Sequence, residues 1–159
     1  MSFEEICKNQ YEAIYRFLFK MTGQPEAALD LTQETFIKFY EYLEGNAMPE
    51  NPGAWLYRVV SNLCKNQLKR QNTFHRILLG LFPSDSHITH IEEKVIQDEE
   101  LAMLRSAFTK PPVRDRLLLQ LFQEGLSYAK IAESLQIGKT SVGKMLSRAI
   151  EKCAKNMES

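Results

Sequence analysis

Residues 126–149 read LSYAKIAESLQIGKTSVGKMLSRA, an order of residue types that few folds accommodate. Ser127 is suited to cap a helix N-terminus, because its hydroxyl accepts from the free first-turn amides. Tyr128, Ile131 and Leu135 then recur at helical spacing. Gln136, Ile137 and Gly138 make a short turn, with Gly138 free to take a backbone conformation other residues resist. A second helix follows, with Val142, Leu146, Ala149 and Cys153 along one face. The pattern is a helix-turn-helix.

The far side of that second helix carries different chemistry. Thr140, Lys144, Ser147 and Arg148 project away from the apolar stripe, at about 100° per residue. Lys139 and Ser141 stand in the first turn, where the helix dipole favours an anion. Hydroxyls and cations of this kind suit phosphates and base edges in a major groove. The same face would also serve as the solvated side of an ordinary helical hairpin, so the motif alone leaves both readings open.

The rest of the chain bears on that choice. The 20 Lys and Arg balance the 20 Asp and Glu among 159 residues, which predicts weak non-specific DNA binding by the free protein. The distribution is uneven. Residues 26–50 hold Glu26, Asp30, Glu34, Glu41, Glu44 and Glu50 against Lys38 alone. Residues 51–84 have no acid, but carry Arg58, Lys65, Lys69, Arg70 and Arg76. A second acidic stretch, residues 85–100, precedes the basic C-terminal part. Such alternation separates surfaces for anions from surfaces for other partners. No apolar run is long enough to span a bilayer, and the N-terminus lacks the pattern of a secretory signal. Cys7, Cys64 and Cys153 are far apart and odd in number. They read as reduced thiols of a cytoplasmic protein.

Taken in order, the pattern is all helical. Residues 3–21 have an apolar face from Phe3, Ile6, Ile14, Phe17 or Leu18, and Met21; Gly23 stops that helix and Pro25 starts another. Residues 26–44 place Leu29, Thr32, Phe36, Phe39 or Tyr40, and Leu43 toward a core. Their other face shows Asp30, Glu34, Lys38 and Glu41 around Ile37. An isoleucine framed by charges fits the centre and rim of a protein interface, and equally a solvated face. Gly and Pro make residues 45–53 a loop. Residues 54–70 then form a helix with Leu56, Val59, Val60 and Leu63 as its stripe. Arg58, Ser61, Asn62, Lys65 and Lys69 lie along its other side in one polar, basic strip suited to nucleic acid. Trp55 and Tyr57 offer rings for unpaired bases, although core packing is the stronger expectation for Trp55. From residue 71 the pattern breaks into a linker with an apolar patch at residues 77–82. His87, His90 and Glu93 have helical ligand spacing without a fourth ligand, so no metal site is assigned. A helix over 92–108 follows, and Pro111 and Pro112 open a further one over 113–123, ended by Gly125. Its Leu117, Leu118, Leu121 and Phe122 are expected to pack on the helix-turn-helix.

The expected architecture is all-α: two small helical domains, 1–72 and 98–159, joined by a linker over 73–97. With no phosphate loop, metal set or nucleophile–base pair in view, the chain does not read as an enzyme and calls for no cofactor.

Three stretches together resemble the extracytoplasmic-function (ECF) group of bacterial RNA polymerase sigma factors. Residues 30–36 (DLTQETF) resemble the group's polymerase-clamp-binding helix, residues 54–62 (AWLYRVVSN) its promoter-melting helix, and residues 125–149 its C-terminal helix-turn-helix. The resemblance covers nearly the whole chain. It implies a protein that binds core RNA polymerase, directs it to promoters and helps to open the DNA. Asp30, Gln33, Glu34, Ile37, Lys38 and Glu41 would then face the polymerase clamp. Asn51, Arg58, Ser61, Asn62, Lys65 and Lys69 would handle the −10 element as a single strand, with an extruded base held in the 45–53 loop. Capturing that base would offset an unstacking cost of a few kcal/mol. Lys139, Thr140, Ser141, Lys144, Ser147 and Arg148 would read the −35 element as duplex. The resemblance also allows for an anti-sigma factor as a partner and implies no direct insertion into a membrane.

Four positions depart from the group's pattern. Asn66 stands where an Asp is usual, Gln136 where the turn usually has Gly, and Gly143 and Met145 where the recognition helix usually carries bases. Lys144 is placed to substitute. Gly143 also weakens its helix, by roughly 1 kcal/mol relative to alanine. The competing reading is a conventional helix-turn-helix regulator with a helical sensor or dimerisation domain, which would bind duplex DNA unaided. Against it stands the second basic surface over 58–69.

Overall fold

The computed structural model describes residues 1–81 and 112–158. The predicted helix over 92–108 and the spacing of His87, His90 and Glu93 lie outside the described residues. Those residues form α1 (Phe3–Thr22), α2 (Pro25–Gly45), α3 (Pro52–Leu81), α4 (Val113–Gln123), α5 (Tyr128–Leu135) and α6 (Lys139–Glu158). The all-α expectation holds. α3 runs on to Leu81, so residues 73–81, expected to begin a linker, are helical.

Local chemistry fixes the ends of the first helices. Ser2 and Glu5 form a reciprocal capping box: the Glu5 amide donates to Ser2 Oγ at 3.3 Å and the Ser2 amide to Glu5 Oε2 at 3.2 Å. Gly23, at φ +71°, ends α1 and returns its amide to the Phe19 carbonyl at 2.8 Å. Pro25 then occupies the first turn of α2, where its missing N–H costs nothing.

α1, α2 and α3 pack on one another. Ile14, Phe17, Leu18, Phe39, Leu56 and Val60 are fully buried between them. The α2 stripe is rotated from the expected one. Ala28, Leu31, Thr32, Thr35, Phe36 and Phe39 face inward, whereas Leu29 is 42% and Tyr40 54% exposed. Ala28, Thr32 and Thr35 are small, which suits close approach of the neighbouring helices. Each threonine satisfies its hydroxyl on its own helix, Thr32 with the Ala28 carbonyl at 2.6 Å and Thr35 with the Leu31 carbonyl at 2.7 Å. On α3, Leu56 and Val60 are buried, but Val59 and Leu63 only partly. Trp55 packs between Phe39 and Tyr42, with ring centroids 5.1 and 4.9 Å away.

α4, α5 and α6 form the second bundle around Leu117, Leu118, Leu121, Ile131, Leu135, Val142, Leu146 and Ala149. Phe122, expected in that core, is 47% exposed, and Tyr128 is 45% exposed. Tyr128 begins α5, and its core side is taken by Ile131, Ala132, Ser134 and Leu135 instead. Ser127 caps α5 as its residue type predicts, accepting from the Lys130 amide at 3.2 Å. In the turn that follows, the left-handed residue is Gln136 at φ 57°, while Gly138 has no positive φ. The conformational freedom expected at Gly138 is taken up at Gln136 instead. The turn is closed by the Ile137 amide bonding the Ala132 carbonyl at 3.0 Å, which fixes Gln136 in a region disfavoured for a side chain.

The two bundles share a seam. α5 lies on α3, and α4 touches both α1 and α3. Across it Arg116 donates to the Met21 carbonyl at 2.8 Å, one of the last acceptors of α1 left without an intrahelical partner. Lys20 Nζ stands 4.0 Å from Glu124 Oε1.

Candidate functional site

Three surfaces carry the candidate residues. On α2, Asp30, Gln33, Glu34, Ile37, Lys38 and Glu41 are all exposed, since the inward positions belong to the other side of the helix. Ile37 is 56% exposed. Leu29 and Tyr40, assigned to the core from sequence, lie at the edge of this same face. The surface is therefore more apolar than expected: Leu29, Ile37 and Tyr40 interleaved with acids. Phe3 supports Tyr40 edge-on, with centroids 5.5 Å apart. An apolar centre with a charged rim suits a protein partner.

On α3 the strip is divided. Asn51, Asn62 and Lys69 are exposed, Arg58 and Lys65 half-buried, and Ser61 fully buried. In this arrangement Ser61 is therefore not available to a nucleic acid. Its Oγ is the buried side-chain polar atom with no hydrogen-bond partner among the described residues. A buried hydroxyl in that state costs about 1–3 kcal/mol. Tyr57 is also withdrawn: it is buried edge-on against Phe17, with centroids 5.4 Å apart, so its ring is not offered to a base. Burial, with Glu124 nearby, pushes its phenol up to about 12. Burial likewise pushes the Cys64 thiol up to about 11, partly offset by Arg116.

On α6 the division is clean. Lys139, Thr140, Ser141, Lys144, Ser147 and Arg148 are exposed, and Val142, Leu146 and Ala149 are buried. Two further residues flank this helix. The Tyr128 ring lies against Gly143, where an added Cβ would meet Tyr128 Cε2 at 3.5 Å. Arg114, on α4, donates to Met145 Sδ at 3.7 Å. An exposed guanidinium thus stands beside one of the positions where the helix lacks its usual base. Sequence spacing could not show either contact, because both join different helices. Among the described residues, no cluster of His, Cys, Asp and Glu is arranged to hold a metal ion. None of the described helices is long and apolar enough to cross a membrane.

Comparison with known proteins decides between the two families left open above. The Sigma-70 region 2 family matches residues 9–74, and the Sigma-70, region 4 family matches residues 103–153. The RNA polymerase sigma-H factor of Pseudomonas aeruginosa is 30% identical over 173 residues, an alignment covering 96% of this chain and 84% of that protein. The chain belongs to the ECF group of RNA polymerase sigma factors. The RNA polymerase sigma factor YlaC of Bacillus subtilis is 28% identical, over 98% of this chain and 92% of its own. The ECF RNA polymerase sigma factor SigE of Mycolicibacterium smegmatis is 30% identical over 86% of this chain, which spans only 54% of that longer relative. The fold matches that of the sigma factor RpoE from Bartonella quintana, solved in complex with the anti-sigma factor NepR. That match has a TM-score of 0.62 and 17% identity, over 98% of this chain and 96% of that one. Membership of a sigma-factor family does not favour the conventional regulator. In sigma terms, α2 and most of α3 fall in the region 2 match, and α4, α5 and most of α6 in the region 4 match.

Proposed function

We propose that this sigma factor divides its work among three faces. The α2 face of Asp30, Gln33, Glu34, Ile37, Lys38 and Glu41 docks on the clamp of core RNA polymerase. Asn51, Arg58, Ser61, Asn62, Lys65 and Lys69 engage the −10 element as a single strand. Lys139, Thr140, Ser141, Lys144, Ser147 and Arg148 engage the −35 duplex. Residues 1–72 and 98–159 are the two working domains, and the protein acts in the cytoplasm. Bond-making belongs to the polymerase; this chain supplies binding and orientation.

The observation that carries the reading is the sorting of α6, where every candidate reader is exposed and the apolar stripe is buried. A helix with a hydroxyl and cation face, following a short turn, suits a major groove. The near-neutral charge of the chain fits a protein that relies on polymerase to reach DNA. A proteinaceous inhibitor of the anti-sigma kind is a further candidate partner, since RpoE, with the same fold, was solved with one. The test is co-elution of the purified chain with bacterial core RNA polymerase at moderate salt, followed by run-off transcription. A stoichiometric complex that initiates at defined sites supports the reading. Failure to bind core enzyme, with tight unaided binding to duplex DNA, overturns it.

A further inference from the structure

Met145 is half-buried at the edge of the α6 stripe, with exposed Ser141 one turn before it and exposed Arg148 three residues after it. Along this edge α4 packs on α6. The Arg114 guanidinium donates to Met145 Sδ at 3.7 Å, and the neighbouring Asp115 carboxylate pairs with Lys152 Nζ at 3.2 Å. Met145 and Lys152 are seven residues apart, which puts them on nearly the same side of α6. Two successive residues of α4 thus hold one edge of α6 at two points, and Arg114 is fixed beside the face of hydroxyls and cations.

The two contacts differ in what they do to charge. Asp115 and Lys152 neutralise each other. A thioether is a weak, uncharged acceptor, so Met145 steadies Arg114 and leaves its charge intact. Arg114 is exposed and enters no ion pair among the described residues; the same is true of Lys139, Lys144 and Arg148. The acid next to Arg114 in the chain is already engaged by Lys152, and α6 itself carries no acid before Glu151. The cationic surface therefore extends from α6 onto α4 without a neutralising carboxylate.

We propose that Arg114 is a phosphate-binding residue for the −35 duplex, supplied by α4 and held at the flank of the recognition helix by Met145. The proposal rests on the reading of the α6 face as the −35 reader. A cation at the edge of a helix in the major groove stands over the groove wall, which is sugar and phosphate, while the centre of the face meets base edges. The planar fork of a guanidinium pairs two N–H groups with two phosphate oxygens. Such a contact carries no base preference. It fixes the angle and depth at which α6 lies, and leaves discrimination among bases to Lys144, Ser147 and Arg148.

The test uses the full chain and a short, fluorescently labelled DNA duplex of mixed sequence. Anisotropy titrations over a range of salt concentrations give the slope of log affinity against log salt. Arg114→Gln removes the charge but keeps an N–H donor for Met145, and Arg114→Lys keeps the charge. Lys144→Ala reports on the α6 face, and Lys8→Gln, an exposed site on α1, controls for net charge. Urea midpoints equal to wild type show that each variant stays folded. Arg114→Gln should lower the slope by about 0.9, so that raising salt about four-fold costs it about three-fold less affinity than wild type. Arg114→Lys and Lys8→Gln should keep the wild-type slope. A slope that falls in Lys144→Ala but not in Arg114→Gln overturns the proposal and leaves the α6 reading standing. No change in either variant, or no duplex binding by wild type at the lowest salt, overturns both. An equal fall in Lys8→Gln, or an Arg114→Gln variant that weakens the polymerase complex at unchanged slope, overturns the phosphate contact alone.

Discussion

Replacing Ser61 with alanine should make this protein more stable. The usual expectation for a fully buried polar side chain is the reverse, because its removal breaks a hydrogen bond. Here there is no bond to break among the described residues: Ser61 is 0% exposed and its Oγ has no partner there. Relieving an unsatisfied hydroxyl is worth about 1–3 kcal/mol, and alanine adds about 0.5 kcal/mol of helix propensity at a position in mid-α3. Loss of the oxygen opens only a small void, so the net gain should be about 1–2 kcal/mol. For a chain of this size, that raises the melting temperature by about 2–4 °C per kcal/mol. Urea unfolding followed by circular dichroism measures it as a shift in midpoint at unchanged slope. Ser134→Ala is the control, because that hydroxyl is bonded at 2.7 Å and its removal should be neutral or destabilising. A Ser61→Ala midpoint at or below wild type would refute the reasoning. If the proposed function holds, the same stabilised variant should also open promoters less well, since the hydroxyl kept for DNA is gone.

Ile37→Glu should leave the urea midpoint within about 0.5 kcal/mol of wild type, as is usual for an exposed site. It should weaken binding to core polymerase at least ten-fold, given about 1.5–3 kcal/mol for burying such a side chain; equal affinity in a titration would remove Ile37 from the interface. Lys144→Ala and Arg148→Ala should each reduce run-off transcription without weakening the polymerase complex, and reduce the salt slope of promoter binding by about 1. Wild-type transcription from both would show that this face of α6 is not the reader. Alkaline pH should destabilise the fold. Cys64 rises from 9.0 to about 11 and Tyr57 from 10.0 to about 12, so the folded state holds these protons more tightly than the unfolded chain does. Their contribution is complete below about pH 9 and is lost as pH climbs toward 11 and 12. Unfolding midpoints measured from neutral to alkaline pH should fall accordingly, and less steeply in Cys64→Ala.

Much of this molecule is legible in its sequence for local reasons. Ser127, Gly23, Pro25 and Gly125 mark helix ends through interactions within a few residues, so residue type sufficed. The α6 face was equally plain, because three and four residue spacing alone separates Val142 and Leu146 from Lys144 and Arg148. Errors arose where packing chose among local options. Leu29 looked like core by hydrophobicity, but Ala28, Leu31 and Thr35 take the inner face beside the expected Thr32, Phe36 and Phe39. Gly138 looked like the strained point of the turn, yet Gln136 takes the left-handed conformation under the closing bond from Ile137. Ser61 looked like a reader on an open strip; it is fully buried in the packing around α3, and no periodicity within α3 reports which neighbours cover it.

The contact between Tyr128 and Gly143 bears on how promoter preference could change by mutation. An alanine at 143 would just touch the ring, whose Cε2 is 3.5 Å from the Cβ position. A lysine or arginine there would have to turn past the ring or move it aside. A base acquired at 143 therefore meets the start of α5 along part of its path outward. If Tyr128 first becomes a smaller residue, the same base fits at once. If this face of α6 reads the promoter as proposed, the order of substitutions matters at this pair, and exposed Lys144 or Ser147 are the freer positions at which preference would change.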